Sequence, residues 1–175
     1  GIHLSDLARY FLGEITDVYG MMSERVFQVP GSEDNAVAVF RNEAGIAATY
    51  HATWTEWRGY GMVVEAYGSE GMVRGSYAPM QNLVIAPAEP GGPRRTSRRF
   101  YPEIMVREKL KSWTSTTQLS FDEELRDFVA RVGGASGGAL ADGHAGLRSV
   151  EVADAVRRSS ESREAVHLPV LGPMR

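Results

Sequence analysis

Between Ile15 and Ala86 the chain alternates short apolar stretches with clusters of turn-forming residues, and no other feature constrains its fold as much. The stretches are bounded by Gly, Pro, Asn or Asp, which is how strands read. The first runs from Ile15 to about Val29 and ends at Pro30-Gly31; the second covers Asn35 to Phe40. Asn42-Glu43-Ala44-Gly45 is a turn, and Ile46 to Trp57 returns as its partner, so these two form a hairpin. Met62 to Tyr67 is a fourth strand, Gly68-Ser69-Glu70-Gly71 turns it into Met72 to Ser76, and Asn82 to Ala86 follows. Connections this short cannot hold crossover helices, so neighbouring strands must run antiparallel.

Helices flank this run. Leu4, Leu7, Ala8 and Phe11 repeat at helical spacing ahead of Gly13, a natural C-terminal stop. Phe121 to Val132 places Leu125, Phe128, Val129 and Val132 on one face. Asp142 caps a final helix running to about Ser160, with Leu147, Val150, Ala153 and Val156 as its expected buried stripe. Ala165 to Leu168 closes as a short strand. Between them, Pro87 to Pro93 breaks regular structure, Arg94 to Ser120 is basic and takes no clear assignment, and Gly133 to Gly138 is a loop. The expected fold is therefore α+β: an open, mostly antiparallel sheet of about six or more strands, with helices on one face. Val37 to Phe40 and Met62 to Tyr67 are apolar on both sides, which favours a homo-oligomer through the open sheet face or a docked domain.

With 175 residues the chain suits one domain spanning 1–175, and 43% apolar with 23% charged residues is an ordinary globular balance. A net charge of −3 gives no general case for nucleic acid or an anionic membrane. The absence of cysteine removes disulfides and thiolate chemistry, and no apolar run is long enough to span a membrane. A cytoplasmic location is the default expectation.

Few residues can carry chemistry. His3 and Asp6, three apart on the first helix, can share one face and address one ligand. A histidine there can serve as a base, with the carboxylate orienting it; equally, the pair can be a capping Asp and a surface His. Tyr50, Trp54, Trp57 and Tyr60 form an aromatic run; packing explains the first two, whereas Tyr60, between Gly59 and Gly61, sits where a hydroxyl can reach a ligand. His51, His144 and His167 lack metal-ligand spacing, so no metal is expected. The arginines and lysines from Arg94 to Lys111, with Phe100, Tyr101 and Trp113 among them, raise a nucleic-acid reading that the overall acidity opposes; a solvated arm, or one wrapping a neighbouring subunit, fits better. Gly-Gly-x-x-Gly-Gly at 133–138 follows a helix instead of a strand, so it is no phosphate loop.

Five stretches taken in order are more specific. Gly1-Ile2-His3-Leu4-Ser5-Asp6-Leu7-Ala8 with Gly13 and Val18 resembles the opening of the C-terminal domain of Gfo/Idh/MocA oxidoreductases. Asp34-Asn35-Ala36 with the turn Asn42 to Gly45, Tyr67-Gly68-Ser69-Glu70-Gly71-Met72-Val73, Phe121 to Val129, and Asp142 to Leu147 through Arg157 to Ser160 are similar to later segments of that family. The resemblance covers nearly the whole chain except Arg94 to Ser120. It implies the substrate-binding and oligomerisation half of an NAD(P)-dependent oxidoreductase acting on a sugar, inositol or related polyol, partnered by its own N-terminal Rossmann domain. His3 then matches the family's active-site histidine, Asp6 a position that contacts substrate hydroxyls, and Tyr60 a substrate-contacting tyrosine. NAD or NADP would be bound mainly by the Rossmann domain, which this chain lacks, so the chain alone is expected inactive. A non-catalytic sugar-responsive regulator of the same fold, or a stand-alone oligomeric ligand-binding module, are the alternatives.

Overall fold

In the computed structural model the described residues are 1–57, 59–77, 79–135 and 140–170. Their elements, in chain order, are α1 (Ile2–Leu12), β1 (Ile15–Ser23), β2 (Asn35–Asn42), β3 (Ala47–Thr53), β4 (Met62–Tyr67), β5 (Met72–Tyr77), β6 (Gln81–Pro87), β7 (Arg94–Phe100), α2 (Pro102–Lys111), α3 (Thr114–Val132), α4 (Gly143–Ser162) and β8 (Val166–His167). The fold is α+β and antiparallel throughout, with its strands in two four-stranded sheets where the sequence pattern suggested one. The chain correspondingly forms two compact units, Gly1–Glu56 with Ala141–Arg175 and Trp57–Leu140. Among the described residues no helix is long and apolar enough to cross a membrane.

The first unit carries the sheet β3-β2-β1-β8, with α1 and α4 on one face. Alternation along the strands decides which side chains go inside. Ile15 and Val18 of β1 and Ala36, Ala38 and Phe40 of β2 are buried against Val152, Ala155 and Val156 of α4, while Tyr19, Met21, Val37 and Val39 point outward and stay largely exposed. The apolar residues of β2 are thus split between two faces, and only one face is buried within the chain. α4 lies so close to β1 that a Cβ on Gly20 would stand 2.8 Å from Val156 Cγ1.

β1 stops at Ser23, short of the expected Val29. Asp34 is buried and its Oδ2 accepts hydrogen bonds from the backbone N–H of Val26 (2.6 Å) and Phe27 (3.1 Å), folding the intervening chain into a loop. Gln28 and Gly31 supply the positive φ values, 54° and 74°, that this loop needs. β3 ends at Thr53, not Trp57, because β2 offers no partner beyond Asn35, and Thr53 Oγ1 accepts from the Thr55 N–H to start a local turn. Asp142 caps α4 as expected, its carboxylate accepting from the Ala145 N–H at 2.8 Å. The buried stripe of that helix is rotated from the expected one: Arg148, Ser149, Val152, Ala155, Val156 and Ser159 are inside, whereas Leu147 and Val150 are about half exposed.

The second unit contains the sheet β4-β5-β6-β7 and the helices α2 and α3, which pack on each other. The basic stretch left unassigned in the sequence supplies β7, paired along its length with β6, and α2, which opens with Pro102 in its first turn. α3 begins seven residues before Phe121, at Thr114, where Thr116 Oγ1 accepts from Arg107 Nη2 across the helix pair at 3.2 Å. None of the described residues of this unit is buried; the buried core among the described residues belongs to the first unit.

Candidate active site

α1 carries two of the three expected site residues, and its placement is the first thing to explain. Ala8 and Leu12 pack on the core, Ser5 is buried, and Gly13 ends the helix at φ 77°. The Tyr50 hydroxyl donates to the carbonyl of Gly1 (3.1 Å) and ties the start of α1 to β3; burial pushes the Tyr50 pKa up, so this donor stays protonated through neutral pH. Along its length α1 is fastened to α4 by charged hydrogen bonds. Arg9 donates from Nη1 to the Ala145 carbonyl (2.8 Å) and Ser149 Oγ (3.0 Å), and from Nη2 to Glu14 Oε1 (2.7 Å). The other carboxylate oxygen of Glu14 accepts from Arg148 Nε at 2.9 Å.

Arg148 is fully buried, which is tolerable only because its guanidinium is satisfied: Glu14, Glu151 and the Ile15 carbonyl all accept from it. Burial alone would push its pKa down; the two carboxylates outweigh that and hold it above its ordinary value. For Glu14 the balance has the same form. Partial burial would raise its pKa, but the hydrogen bonds and charges of Arg9 and Arg148 hold it below. The cluster is a rigid mount for α1. Arg148 and Glu14 were missed in the sequence, although Arg148 shares a helical face with Val152, Ala155 and Ser159, a spacing that signals a buried position when the polar member has carboxylates to pair with.

On this mount, His3 stands in the first turn, exposed, with no hydrogen bond or ion pair to another described residue. Asp6 is differently placed. Its Oδ1 accepts from Ser149 Oγ at 2.7 Å and lies 3.4 Å from Arg9 Nη1, while Oδ2 has no partner among the described residues. The carboxylate therefore faces α4 and makes no hydrogen bond to the His3 ring. Tyr60 belongs to the second unit. It is exposed and meets Tyr77 edge-on, centroids 5.6 Å apart. Tyr77 donates to Glu108 Oε1 of α2 at 2.7 Å, a hydrogen bond to a carboxylate that, with partial desolvation, pushes its pKa up to about 12. Trp54, expected to pack, is exposed, whereas Tyr50 does pack, against Phe40 at 5.3 Å.

The described residues do not fit a dinucleotide. No parallel strand–turn–helix unit is present, and the start of α4 is already taken by the Asp142 carboxylate, which would repel a phosphate. The glycine pairs at 133–138 fall partly on residues 136–139, outside the described residues. His51 and His167 hydrogen-bond to Asn35 (2.8 Å) and Asp17 (3.2 Å), and no group of three metal-ligating side chains occurs among the described residues.

Comparison with known proteins agrees with this architecture. Residues 1–74 match the GFO/IDH/MocA C-terminal domain family. Among solved structures, a levoglucosan dehydrogenase in complex with NADH and L-sorbose superposes with a TM-score of 0.73 at 19% identity, over 97% of this chain and 49% of the other. An oxidoreductase domain protein from Kribbella flavida gives 0.74 at 18%, over 97% and 49%, and the WlbA dehydrogenase from Bordetella pertussis, in complex with NADH and UDP-GlcNAcA, gives 0.64 at 18%, over 97% and 43%. The chain thus spans about half the length of these proteins or less, and at such identities the likeness is one of fold. No curated protein sequence matches it.

Proposed function

We propose that this chain, whose first 74 residues match the GFO/IDH/MocA C-terminal domain model, is the substrate-facing half of an NAD(P)-dependent oxidoreductase acting on a sugar, inositol or related polyol. The observation that carries the reading is the free imidazole of His3 on a helix fixed by the Arg9–Glu14–Arg148 cluster. A base is effective when it is held in place and its nitrogens are not consumed by neighbours. Oxidation of a secondary alcohol releases a hydroxyl proton as the C–H hydride departs, and His3 is the group to accept that proton. The hydride acceptor, a nicotinamide dinucleotide, is supplied from outside these residues, by a Rossmann half of the same protein.

Asp6 contributes Oδ2, the oxygen left open by Ser149 and Arg9, to a neighbouring substrate hydroxyl. Tyr60 offers an aromatic ring and a hydroxyl, features that suit the C–H faces and polar edges of a sugar. The outward face of the first sheet, with Tyr19, Met21, Val37 and Val39, is the surface through which the protein assembles into homo-oligomers. Substrates of the kind seen with the structural relatives, L-sorbose and UDP-GlcNAcA, set the chemical class to screen.

The test is His3→Ala in the full-length protein. Turnover should fall by roughly two to four orders of magnitude, the range of a positioned acid–base group, while dinucleotide binding is unchanged. Turnover at the unmutated rate would refute the assignment, and sugar binding without any turnover in the unmutated protein would favour a regulator.

A further inference from the structure

We infer that Ser149 is a positioning residue for substrate: it holds the Asp6 carboxylate with Oδ1 turned inward and Oδ2 presented to a hydroxyl of the sugar or polyol. This rests on the dehydrogenase reading, with Asp6 as a substrate contact, and it concerns side chains of the first unit alone. Ser149 is 4% exposed, whereas the Asp6 side chain is 52% exposed. An aspartate that open on a helix surface has several rotamers to choose from. A buried hydroxyl aimed at one of its oxygens selects among them.

The number of protons decides which way the hydrogen bonds run. Arg9 Nη1 carries two protons and has three acceptors around it: the Ala145 carbonyl at 2.8 Å, Ser149 Oγ at 3.0 Å and Asp6 Oδ1 at 3.4 Å. The two nearer acceptors take them. The Ser149 hydroxyl has one proton and two acceptors in reach, Asp6 Oδ1 at 2.7 Å and the Ala145 carbonyl at 3.0 Å. That carbonyl already accepts from Arg9 and, by the helix repeat, from the backbone N–H of Ser149, so both its lone pairs are engaged. The hydroxyl proton therefore goes to Asp6, completing a chain that runs from Arg9 through Ser149 to the carboxylate, each donor polarising the next. Ser149 is not needed to keep α1 in place: Arg9 still reaches Ala145 and Glu14, Glu14 still reaches Arg148, and Tyr50 still holds Gly1. What its loss releases is one carboxylate. Because Oδ1 is engaged and Oδ2 accepts, the site selects a substrate with a free hydroxyl to donate, and a deoxy or O-methyl analogue at that position forfeits the contact.

The experiment is steady-state kinetics of the full-length protein with NAD and NADP over a panel of myo-inositol, L-sorbose and other free sugars, followed up with the panel member of highest kcat/KM. Ser149→Ala should raise KM roughly tenfold, the worth of a hydrogen bond to a charged group, with a smaller change in kcat. Asp6→Asn should also raise KM, and the double variant should be no worse than Asp6→Asn alone, because Ser149 acts through the carboxylate. Ser149→Ala at the parent KM, with Asp6→Asn impaired, overturns the inference and leaves Asp6 as a substrate contact. So do losses that multiply in the double variant, which would make Ser149 only a fastener between α1 and α4. Asp6→Asn at the parent KM removes the substrate contact and the inference with it. A protein that oxidises nothing in the panel refutes the dehydrogenase reading on which both stand.

Discussion

Replacing Gly20 by Ala inverts the usual expectation for a glycine in a strand. Gly20 has an ordinary strand backbone, so alanine should on general grounds add about 0.4–1 kcal/mol by restricting the unfolded chain. Packing opposes this. The new Cβ would lie 2.8 Å from Val156 Cγ1, 3.0 Å from the Val156 carbonyl oxygen and 3.1 Å from its Cα, against a comfortable carbon contact of about 3.5–4.0 Å. A rotamer change relieves only the first contact, because the other two are backbone, so α4 itself must move outward by several tenths of an ångström. Overpacking of that kind costs about 1–3 kcal/mol. The shift also lengthens the hydrogen bond from the Gly20 N–H to Ser159 Oγ, now 3.0 Å, at a further cost of about 1 kcal/mol. After subtracting the unfolded-state gain, Gly20→Ala should destabilise by about 2 kcal/mol. In urea, with an m-value near 2 kcal/mol/M, the midpoint should fall by about 1 M. Adding Val156→Ala should recover part of the loss, since it removes Cγ1 and leaves the backbone contacts, and the two changes should be non-additive. A Gly20→Ala midpoint equal to or above that of the parent would refute the close approach of α4 to β1.

Two further outcomes follow from the ionisable groups. Glu14 is held below its ordinary pKa in the folded chain, so the stability it contributes is complete above the unfolded value near 4.5 and is lost as pH falls through its folded value; Glu14→Gln should lower stability at pH 7 and flatten its decline as the pH falls below the unfolded value, seen as urea midpoints against pH. Tyr77 should ionise near pH 12, and Glu108→Gln should bring that step back toward 10 in the tyrosinate absorbance; a titration unchanged by the substitution would contradict the Tyr77–Glu108 hydrogen bond.

Much of the order of elements was legible in the sequence, and where it failed the reasons are specific. β4 was read with its actual ends, Met62 and Tyr67, because turn residues bracket a short apolar run. β7 was invisible. An edge strand is held by backbone hydrogen bonds to β6 and needs no apolar alternation, so four arginines in seven residues look like a loop. The helical period of α4 was read correctly and its phase was not, since hydrophobicity selects Leu147 and Val150 while partnered polar groups place Arg148 and Ser149 inside. Of the candidate site, His3 and Asp6 were named from a motif, but nothing local to α1 reveals that Ser149, 143 residues away, holds the carboxylate.

Sequence by itself determined the class of this protein: short apolar runs between turn residues dictate antiparallel pairing, and helical spacing with Gly13 and Asp142 marks where helices end and begin. Tertiary structure decided which faces are covered and which charges are neutralised. The division of strands between two sheets, the burial of Arg148 and the open ring of His3 all depend on neighbours distant in sequence. Hydrophobic burial and charge pairing act through space, and periodicity along a chain carries the period of a buried face without saying what meets it.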